Sequence, residues 1–190
     1  AFMARPEEAR ALARSLVDVA NGAGCPTVAL ITDMNEPLAS AAGNALEMAN
    51  AVRLLRMEAV DPRLWDVTVA LGGELLAKAG VAGDAEIGRA AVSRVLETGA
   101  AAERFERMVA ALGGPADFVE DFEAHLREAA VVEDVLAGAE GFVSAIDTRG
   151  LGLAVVELGG GRRRPTDAID HAVGFDQLAP LETTVGPDTP

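Results

Sequence analysis

The chain has 190 residues, of which half are apolar and 4% are aromatic, and its formal net charge at pH 7 is −14. The acidic balance disfavours nonspecific binding to nucleic acid or to an anionic membrane, because both depend on clustered Lys and Arg. The single cysteine excludes an internal disulfide and a cysteine-based zinc site, and no apolar run approaches the roughly 18 residues of a membrane span, so we expect a cytoplasmic protein that binds small molecules.

The first elements predict an α/β fold. Apolar residues recur at helical spacing after Pro6, which predicts a helix. Asn21-Gly22 is predicted to end it, because both residues tolerate the left-handed conformation of a helix cap. The continuous apolar run TVALIT (27–32) is typical of a parallel strand that is covered on both faces. A helix followed by a buried strand is half of a βαβ unit.

Helical patterns fill the next part of the chain. A helix is predicted over GNALEMANAVRLL (43–55), and the next is predicted to have Asp61 as N-cap, Pro62 at its first position and Gly80 past its end. Residues 84–112 keep the helical period with a break at Thr98-Gly99, and another short helix is predicted at or near Asp117.

The character of the sequence changes after about residue 128. Two short strands are predicted within AAVVEDVLAGAEGFVSAID (129–147), followed by a helix in TRGLGLAVVELGGG and an extended segment at IDHAVGFD. These patterns predict a large α/β domain over residues 1–128 and an α+β domain over residues 129–190. The last ten residues contain no closing element, so we expect the second domain to be incomplete.

Thr32, Asp33 and Asn35 are the best-placed polar residues for ligand binding. They follow the predicted strand, and ligands of open α/β sheets bind at the carboxyl ends of the strands. Alternatively, Asp33 and Asn35 only satisfy loop backbone groups and cap the next helix. Position alone favours this structural interpretation.

The stretch LGGGRRRPTD combines glycines with three arginines, as some phosphate sites do. Its glycines follow a predicted helix, and the carboxyl end of a helix repels anions. A helix stop with solvated arginines is therefore favoured. His125 and His171 are far apart and lack Cys or His neighbours, which favours structural or surface roles over metal binding.

Four segments together resemble the thymidine phosphorylase and pyrimidine-nucleoside phosphorylase family. They are AFM at the start, VALITDMNEPLASAAGNALEMANAVRLL, DPRLWDVTVALGGELL and GFVSAIDTRGLGLAVVELGGGRR. The likeness runs in uninterrupted order from Ala1 to about Phe175, and the thymidine phosphorylase branch is the nearer one.

The resemblance implies reversible phosphorolysis of a pyrimidine deoxyribonucleoside such as thymidine, with inorganic phosphate as co-substrate and no required cofactor. The products would be the free base and 2-deoxyribose 1-phosphate. Members of this family have a small helical domain, a large α/β domain and a C-terminal α+β domain, and they work as homodimers. The chain would thus comprise part of the large α/β domain and a truncated C-terminal domain.

The main catalytic residues of the family lie upstream of a GSGAFM-type segment, and this chain begins at AFM. None of them can be assigned here, so we expect a fragment that is inactive when isolated. Phe2 and Met3 match the end of the segment that lines the pyrimidine pocket in the family. An aromatic side chain there would pack against the base.

The resemblance also implies a potassium site. In the pyrimidine-nucleoside branch, two backbone carbonyls and a glutamate bind the ion in the region that reads PLASAAGNALEMAN in this chain. Leu38 and Ala41 match the carbonyl donors. The glutamate position falls on Asn50, a neutral oxygen donor that binds cations more weakly.

Two other functions are compatible with parts of the pattern. One is a noncatalytic binding or scaffold module that keeps the C-terminal part of the fold. The other is a phosphoribosyltransferase of the anthranilate type, whose large domain is similar. The unit GFVSAIDTRGLGLAVVELGGGRR disfavours the transferase, because those enzymes lack it.

Overall fold

The computed structural model describes Met3 and residues 5–190. In this part of the chain it is mainly helical, with one small antiparallel sheet. The elements are α1 (Pro6–Gly22), α2 (Asn44–Leu55), α3 (Pro62–Lys78), α4 (Ala85–Glu97), α5 (Ala100–Ala111), α6 (Phe122–His125), β1 (Gly141–Phe142), α7 (Thr148–Glu157) and β2 (Thr184–Val185).

The chain divides into two compact units. The first contains the segment ending at Met34 together with Leu64–Val95, and the second contains Asn35–Arg63 and Leu96–Pro190. Most of α1, α3 and α4 therefore belongs to the first unit, whereas α2, α5, α6, α7 and the sheet belong to the second.

Both ends of α3 follow the predicted caps, whereas the left-handed residue after α1 is Gly24, with a φ of 80°, instead of the predicted Asn21-Gly22. The carboxylate of Asp61 accepts a hydrogen bond from the backbone N–H of Arg63 at 3.1 Å, and Gly80 has the left-handed φ of 68° expected past a helix end. Gly99 separates α4 from α5 with a φ of 77°. The predictions for α1 to α5 and for α7 are confirmed, but the short helix α6 begins at Phe122 instead of near Asp117.

Glycines bring α3 and α4 into close contact in the first unit. A Cβ added to Gly88 would lie 2.5 Å from the carbonyl oxygen of Gly73, and one added to Gly73 would lie 2.5 Å from the Cγ of Arg89. Only hydrogen fits at both positions, since real Cβ atoms do not approach other atoms so closely. The two helix backbones can therefore approach more closely than side chains would allow.

Aromatic and aliphatic side chains form the core of the second unit. Val52 on α2 is fully buried, and Phe118 and Phe122 pack into the same cluster. The rings of Phe105 and Phe118 are 6.3 Å apart at an angle of 53°, within the range of favourable tilted pairs. Helix α2 is thus held by residues from the region around α5 and α6.

The strand predicted over residues 27–32 is not formed in the described part of the chain. Val28 and Ile31 were predicted to be buried on the two faces of this strand, but they are 42% and 51% exposed. A strand requires a neighbour that completes its hydrogen bonds. Among the described residues none pairs with this segment, so its apolar side chains remain uncovered and the predicted α/β arrangement is not shown.

The sheet pairing also differs from the prediction. β1 pairs antiparallel with β2, with Gly141 opposite Val185 and Phe142 opposite Thr184. The predicted partner within residues 129–137 forms no strand, and Val132 is exposed. Apolar β-branched composition indicated a strand there, but a partner more than forty residues away in the sequence determines the pairing.

None of the helices in the described residues combines the length and apolar character that a bilayer crossing requires.

Replacing Gly88 by alanine is expected to destabilise the first unit. The added Cβ meets backbone atoms of Gly73, which cannot rotate away as a side chain would. We expect a net loss of about 1–3 kcal/mol in the free energy of unfolding, as for other overpacked contacts. Thermal and urea unfolding followed by circular dichroism will measure it.

Gly152→Ala is the matched control, because Gly152 is also inside a helix and has no atom near its added Cβ within 4 Å. It should be neutral or stabilising by about 0.5–1 kcal/mol. Equal effects of the two substitutions would contradict a tight contact between α3 and α4.

Candidate functional site

The loop of residues 37–43, called here the 37–43 loop, leads into α2 and is bound by a distant segment. The N–H of Ala42 donates to the carbonyl of Phe175 at 2.9 Å, and the N–H of Phe175 donates to the carbonyl of Ala42 at 2.8 Å. The N–H of Leu178 donates to the carbonyl of Ser40 at 2.9 Å. Residues 171–181 thus determine the path of this loop.

Two glycines make this approach possible. A Cβ on Gly174 would lie 2.1 Å from the carbonyl oxygen of Ala42, and a Cβ on Gly43 would lie 2.5 Å from that of Val173. Gly43 also adopts a φ of 141°, which side-chain-bearing residues rarely reach. The crossing of the two backbones therefore requires glycine on both.

The first N–H groups of α2 are used within the protein. Gly43 donates to the carboxylate of Glu47 at 3.1 Å, and Ala45 donates to the carbonyl of His171 at 3.0 Å. The side-chain amide of Asn44 donates to the carbonyl of Gly160 at 3.2 Å. Two of the N–H groups at this helix start are thus bound by protein acceptors.

An ion pair holds the other end of the 37–43 loop. Arg63 at the start of α3 lies 3.1 Å from the carboxylate of Glu36 and donates to the carbonyl of Pro37 at 3.2 Å. The same carboxylate accepts from the N–H of Leu181 at 2.9 Å. Because the Glu36 side chain is only 13% exposed, solvent screens this pair less than a surface pair.

A cavity of about 290 Å³ lies beside this ion pair in the second unit. Its polar lining residues are Glu36, Ser40, Asp61 and Arg63. The remaining lining is largely apolar and comes from Pro37, Ala39, Pro62, Ile146, Leu178, Ala179 and Pro180. The cavity could receive a small group, but Glu36 and Arg63 in its lining already pair with each other.

The three predicted potassium ligands retain unused oxygen atoms. The amide nitrogen of Asn50 donates to the hydroxyl of Ser40 at 3.1 Å, whereas its Oδ1 is buried and has no hydrogen-bond partner in the described residues. The carbonyls of Ser40 and Ala42 accept hydrogen bonds, but within that same part of the chain none reaches the carbonyls of Leu38 or Ala41. These three oxygens are therefore without hydrogen bonds in the described residues.

The other predicted ligand-binding residues lie outside the 37–43 loop and α2. Phe2 lies outside the described residues, and Met3 is partly buried. Thr32, Asp33 and Asn35 are exposed, and they follow a segment that forms no strand in the described structure. The reason for placing a ligand at that strand end is therefore missing here.

The Gly-Arg stretch is a helix stop, as predicted. Gly159 has a φ of 97°, and the N–H of Gly160 donates to the carbonyl of Val155 at 2.9 Å to close α7. The N–H groups of Arg163 and Arg164 both donate to the carboxylate of Asp167, at 3.1 and 2.8 Å. A protein carboxylate therefore occupies the position that an anion would take.

The two histidines have different surroundings. His125 lies 2.9 Å from a carboxylate oxygen of Asp117 and stacks on the ring of Phe118, whereas the carbonyl of His171 accepts from α2 as described above. Across the described residues, no group of three or more His, Cys, Asp and Glu side chains could hold a metal ion.

Several residues of the site were not identified from the sequence. Asp61 was predicted only as a helix cap, but its second carboxylate oxygen accepts from the N–H of Ser40 at 2.8 Å. Ser40, Glu36 and Arg63 carried no motif that indicated a role. The Asp-Pro-Arg spacing around Asp61 was the only signal that could have suggested a second partner for its carboxylate.

One known protein family matches the C-terminal part of the chain. Residues 142–190 match the family described as pyrimidine nucleoside phosphorylase C-terminal domain. This match contains α7 and β2 and the segment that binds the 37–43 loop. The sequence resemblance to pyrimidine-nucleoside phosphorylases is thereby confirmed for the C-terminal part.

The similarity to thymidine phosphorylases extends over the whole chain. The chain is 55% identical over 184 residues to the thymidine phosphorylase of Sinorhizobium medicae, and the alignment covers 97% of this chain and 42% of that protein. It is 53% identical over 190 residues to that of Burkholderia lata, covering 100% of this chain and 43% of the relative. The thymidine phosphorylase of Rhizobium meliloti is 54% identical over 97% of this chain and 42% of the relative.

These identities confirm the predicted resemblance to the thymidine phosphorylase family. The chain spans less than half the length of the curated relatives that it matches.

Gly174→Ala is expected to separate residues 171–181 from the 37–43 loop. The new Cβ overlaps the carbonyl oxygen of Ala42, so the two bonds between Ala42 and Phe175 should be lost. At about 1 kcal/mol for each bond, amide hydrogen exchange at both residues should accelerate by roughly 30-fold. Exchange measured by NMR will test this.

Gly186→Ala in the same unit is the control, since its added Cβ would have ordinary contacts, the nearest at 3.7 Å to the Thr189 hydroxyl. It should leave exchange at Ala42 and Phe175 unchanged. Unaltered protection in the Gly174 variant would show that the backbone pairing does not hold the loop.

Proposed function

We propose that this chain is part of a pyrimidine nucleoside phosphorylase that converts thymidine and phosphate to thymine and 2-deoxyribose 1-phosphate. The observation that carries the proposal is 55% identity over 184 residues to a protein named thymidine phosphorylase. Pyrimidine deoxyribonucleoside and inorganic phosphate are the expected substrates.

The reaction requires more groups than the site described above provides. Phosphate attacks C1′ of the sugar while the bond from C1′ to the base breaks, and positive charge develops on the sugar. Cationic and hydrogen-bonding groups must orient the phosphate and stabilise the departing base. We propose that these groups lie in the portion of the relatives that this chain does not cover.

We further propose that residues 1–128 contribute to a large α/β domain and residues 129–190 to a C-terminal α+β domain. The exposed apolar side chains of residues 27–32 support the first assignment, because they suit a strand whose neighbours come from elsewhere. The family match to residues 142–190 lies within the second. Phe2 and Met3 would border the pyrimidine pocket.

The 37–43 loop and α2 are proposed to bind potassium through the carbonyls of Leu38 and Ala41 and the Oδ1 of Asn50. The support is the unused state of these oxygens, above all the buried Oδ1. A bound potassium ion supplies a fixed positive charge to which loop oxygens can turn. All three donors are neutral, which favours a monovalent over a divalent cation, because divalent ions need charged ligands to offset their dehydration.

The intact protein is proposed to be a cytoplasmic homodimer. The support is the resemblance to the thymidine phosphorylase family, whose members work as dimers.

The 190-residue chain alone is expected to release no thymine from thymidine and phosphate. Fusion to the portion of the Sinorhizobium medicae relative that it does not cover should produce phosphate-dependent thymine release. Chromatographic detection of thymine, with and without phosphate, will measure both.

The complete Sinorhizobium medicae relative is the positive control for the assay. Thymine release by the chain alone would contradict the assignment of the catalytic groups to the other portion. An inactive fusion that folds would instead favour a noncatalytic binding or scaffold module.

Asn50→Ala is expected to weaken potassium binding by about tenfold or more, because even groups behind a metal ligand are typically worth that much. Asn50→Glu should tighten it by supplying a charged oxygen ligand. Isothermal titration with potassium chloride, at ionic strength held constant with choline chloride, will give both affinities.

Asn44→Ala is the matched control, since Asn44 lies on the same helix and its side chain binds the carbonyl of Gly160. It should keep the potassium affinity of the unaltered chain. Equal affinities for the unaltered chain and the Asn50→Ala variant would remove Asn50 from the site.

A further inference from the structure

We propose that Ser40 is a positioning residue that presents the oxygen end of the Asn50 side chain to a monovalent cation. This inference rests on the proposed potassium site. Ser40 itself supplies no ligand to the ion in this arrangement. Its role is to satisfy the amino end of the same amide, so that the oxygen end is the one left for the cation.

The position of Ser40 is determined from both sides of its backbone. Its N–H donates to the carboxylate of Asp61 at 2.8 Å, and its carbonyl accepts from the N–H of Leu178 at 2.9 Å. These two backbone bonds fix the position of the Ser40 Cβ, and the bond from Asn50 holds the hydroxyl toward α2. The Ser40 hydroxyl is therefore presented to α2 at a defined place.

Asn50 uses this hydroxyl for one end of its amide. Its Nδ2 donates to the Oγ of Ser40 at 3.1 Å, and its Oδ1 is buried and, within the described part of the chain, has no hydrogen-bond partner. A serine hydroxyl can accept from Nδ2 or donate to Oδ1, and in this structure it accepts from Nδ2. With Nδ2 bound to Ser40, the acceptor is the end that remains.

The orientation of the Asn50 amide determines whether it can bind a cation. In the observed orientation an oxygen lone pair is available, which attracts a cation. In the reversed orientation two N–H donors would take its place, and these would repel a cation. Removing the Ser40 hydroxyl would leave the Nδ2 of the binding orientation buried without an acceptor, which is costly.

Asp61 connects this arrangement to the start of α3. One of its carboxylate oxygens accepts from the N–H of Arg63 and the other from the N–H of Ser40, at 3.1 and 2.8 Å. A helix cap thus also fixes the residue that orients Asn50. The comparable use of a group behind a ligand, to set its orientation, is common in metal sites.

A double-mutant cycle on the 190-residue chain will test the proposal, with potassium affinity from isothermal titration as the readout. Ser40→Ala should lower the affinity by about tenfold. Ser40→Thr keeps a hydroxyl and should stay within about threefold of the unaltered chain. In the Asn50→Ala background, Ser40→Ala should cause no further loss, because the amide that it orients is gone.

The outcomes separate this inference from the site on which it rests. An additional tenfold loss on adding Ser40→Ala to Asn50→Ala would mean that Ser40 only supports the loop, and would overturn the inference. Loss of affinity in Asn50→Ala with none in Ser40→Ala would also overturn it, while retaining the site. Equal binding, or no binding, in the unaltered chain and the Asn50→Ala variant would reject the potassium site itself.

A further comparison guards against misfolding. Circular dichroism and the unfolding midpoint of each variant are measured without potassium. If Ser40→Ala unfolds the chain, the Ser40→Thr variant and Ser40→Cys, which keeps only a weak acceptor, provide the same test. Affinity that decreases from serine to cysteine supports orientation by the hydroxyl, and equal affinities contradict it.

Discussion

The reciprocal backbone pairing of Ala42 with Phe175 is the constraint on which the candidate site depends. It joins the 37–43 loop to a segment 133 residues further along the chain, at N–O distances of 2.9 and 2.8 Å. Such a contact closes a long segment of chain, and its entropic cost must be offset by neighbouring interactions. The bonds of Leu178 and His171 to the same region provide that support.

The buried side-chain oxygen of Asn50 on α2 has no hydrogen-bond partner among the described residues. Leaving a buried acceptor unpaired costs about 1–3 kcal/mol, and native proteins retain few such groups. The neighbouring Ser40 contributes a bond to the nitrogen of the same amide, so the side chain is held without its oxygen being used. The cation ligand proposed above would give this oxygen a partner.

The helices of this protein were predictable because their signals are local. Asp61 and Pro62 indicated the start of α3, and Gly99 indicated the break between α4 and α5. The strands could not be predicted in the same way, because a strand needs a partner from elsewhere in the sequence. Residues 27–32 have the composition of a buried strand but no pairing neighbour in the described residues, and β1 pairs with β2 instead of with its predicted neighbour.

The candidate site, too, could be predicted from the sequence only in part. Leu38, Ala41 and Asn50 were assigned through resemblance to a family, whereas Ser40 and the ion pair of Glu36 with Arg63 emerged only from the structure. Sequence spacing cannot show that a hydroxyl ten residues before Asn50 accepts from its amide, because this depends on where the loop turns back on α2.

The sequence by itself determined most of the helices, the caps of α3 and the helix stop at Gly159, since these depend on residues within a few positions of one another. Tertiary structure decided which segment holds the 37–43 loop, which end of the Asn50 amide remains unpaired, and that Asp167 binds the N–H groups of Arg163 and Arg164. The loop pairing is a contact between chemically ordinary backbone groups, and only the path of the whole chain brings such groups together.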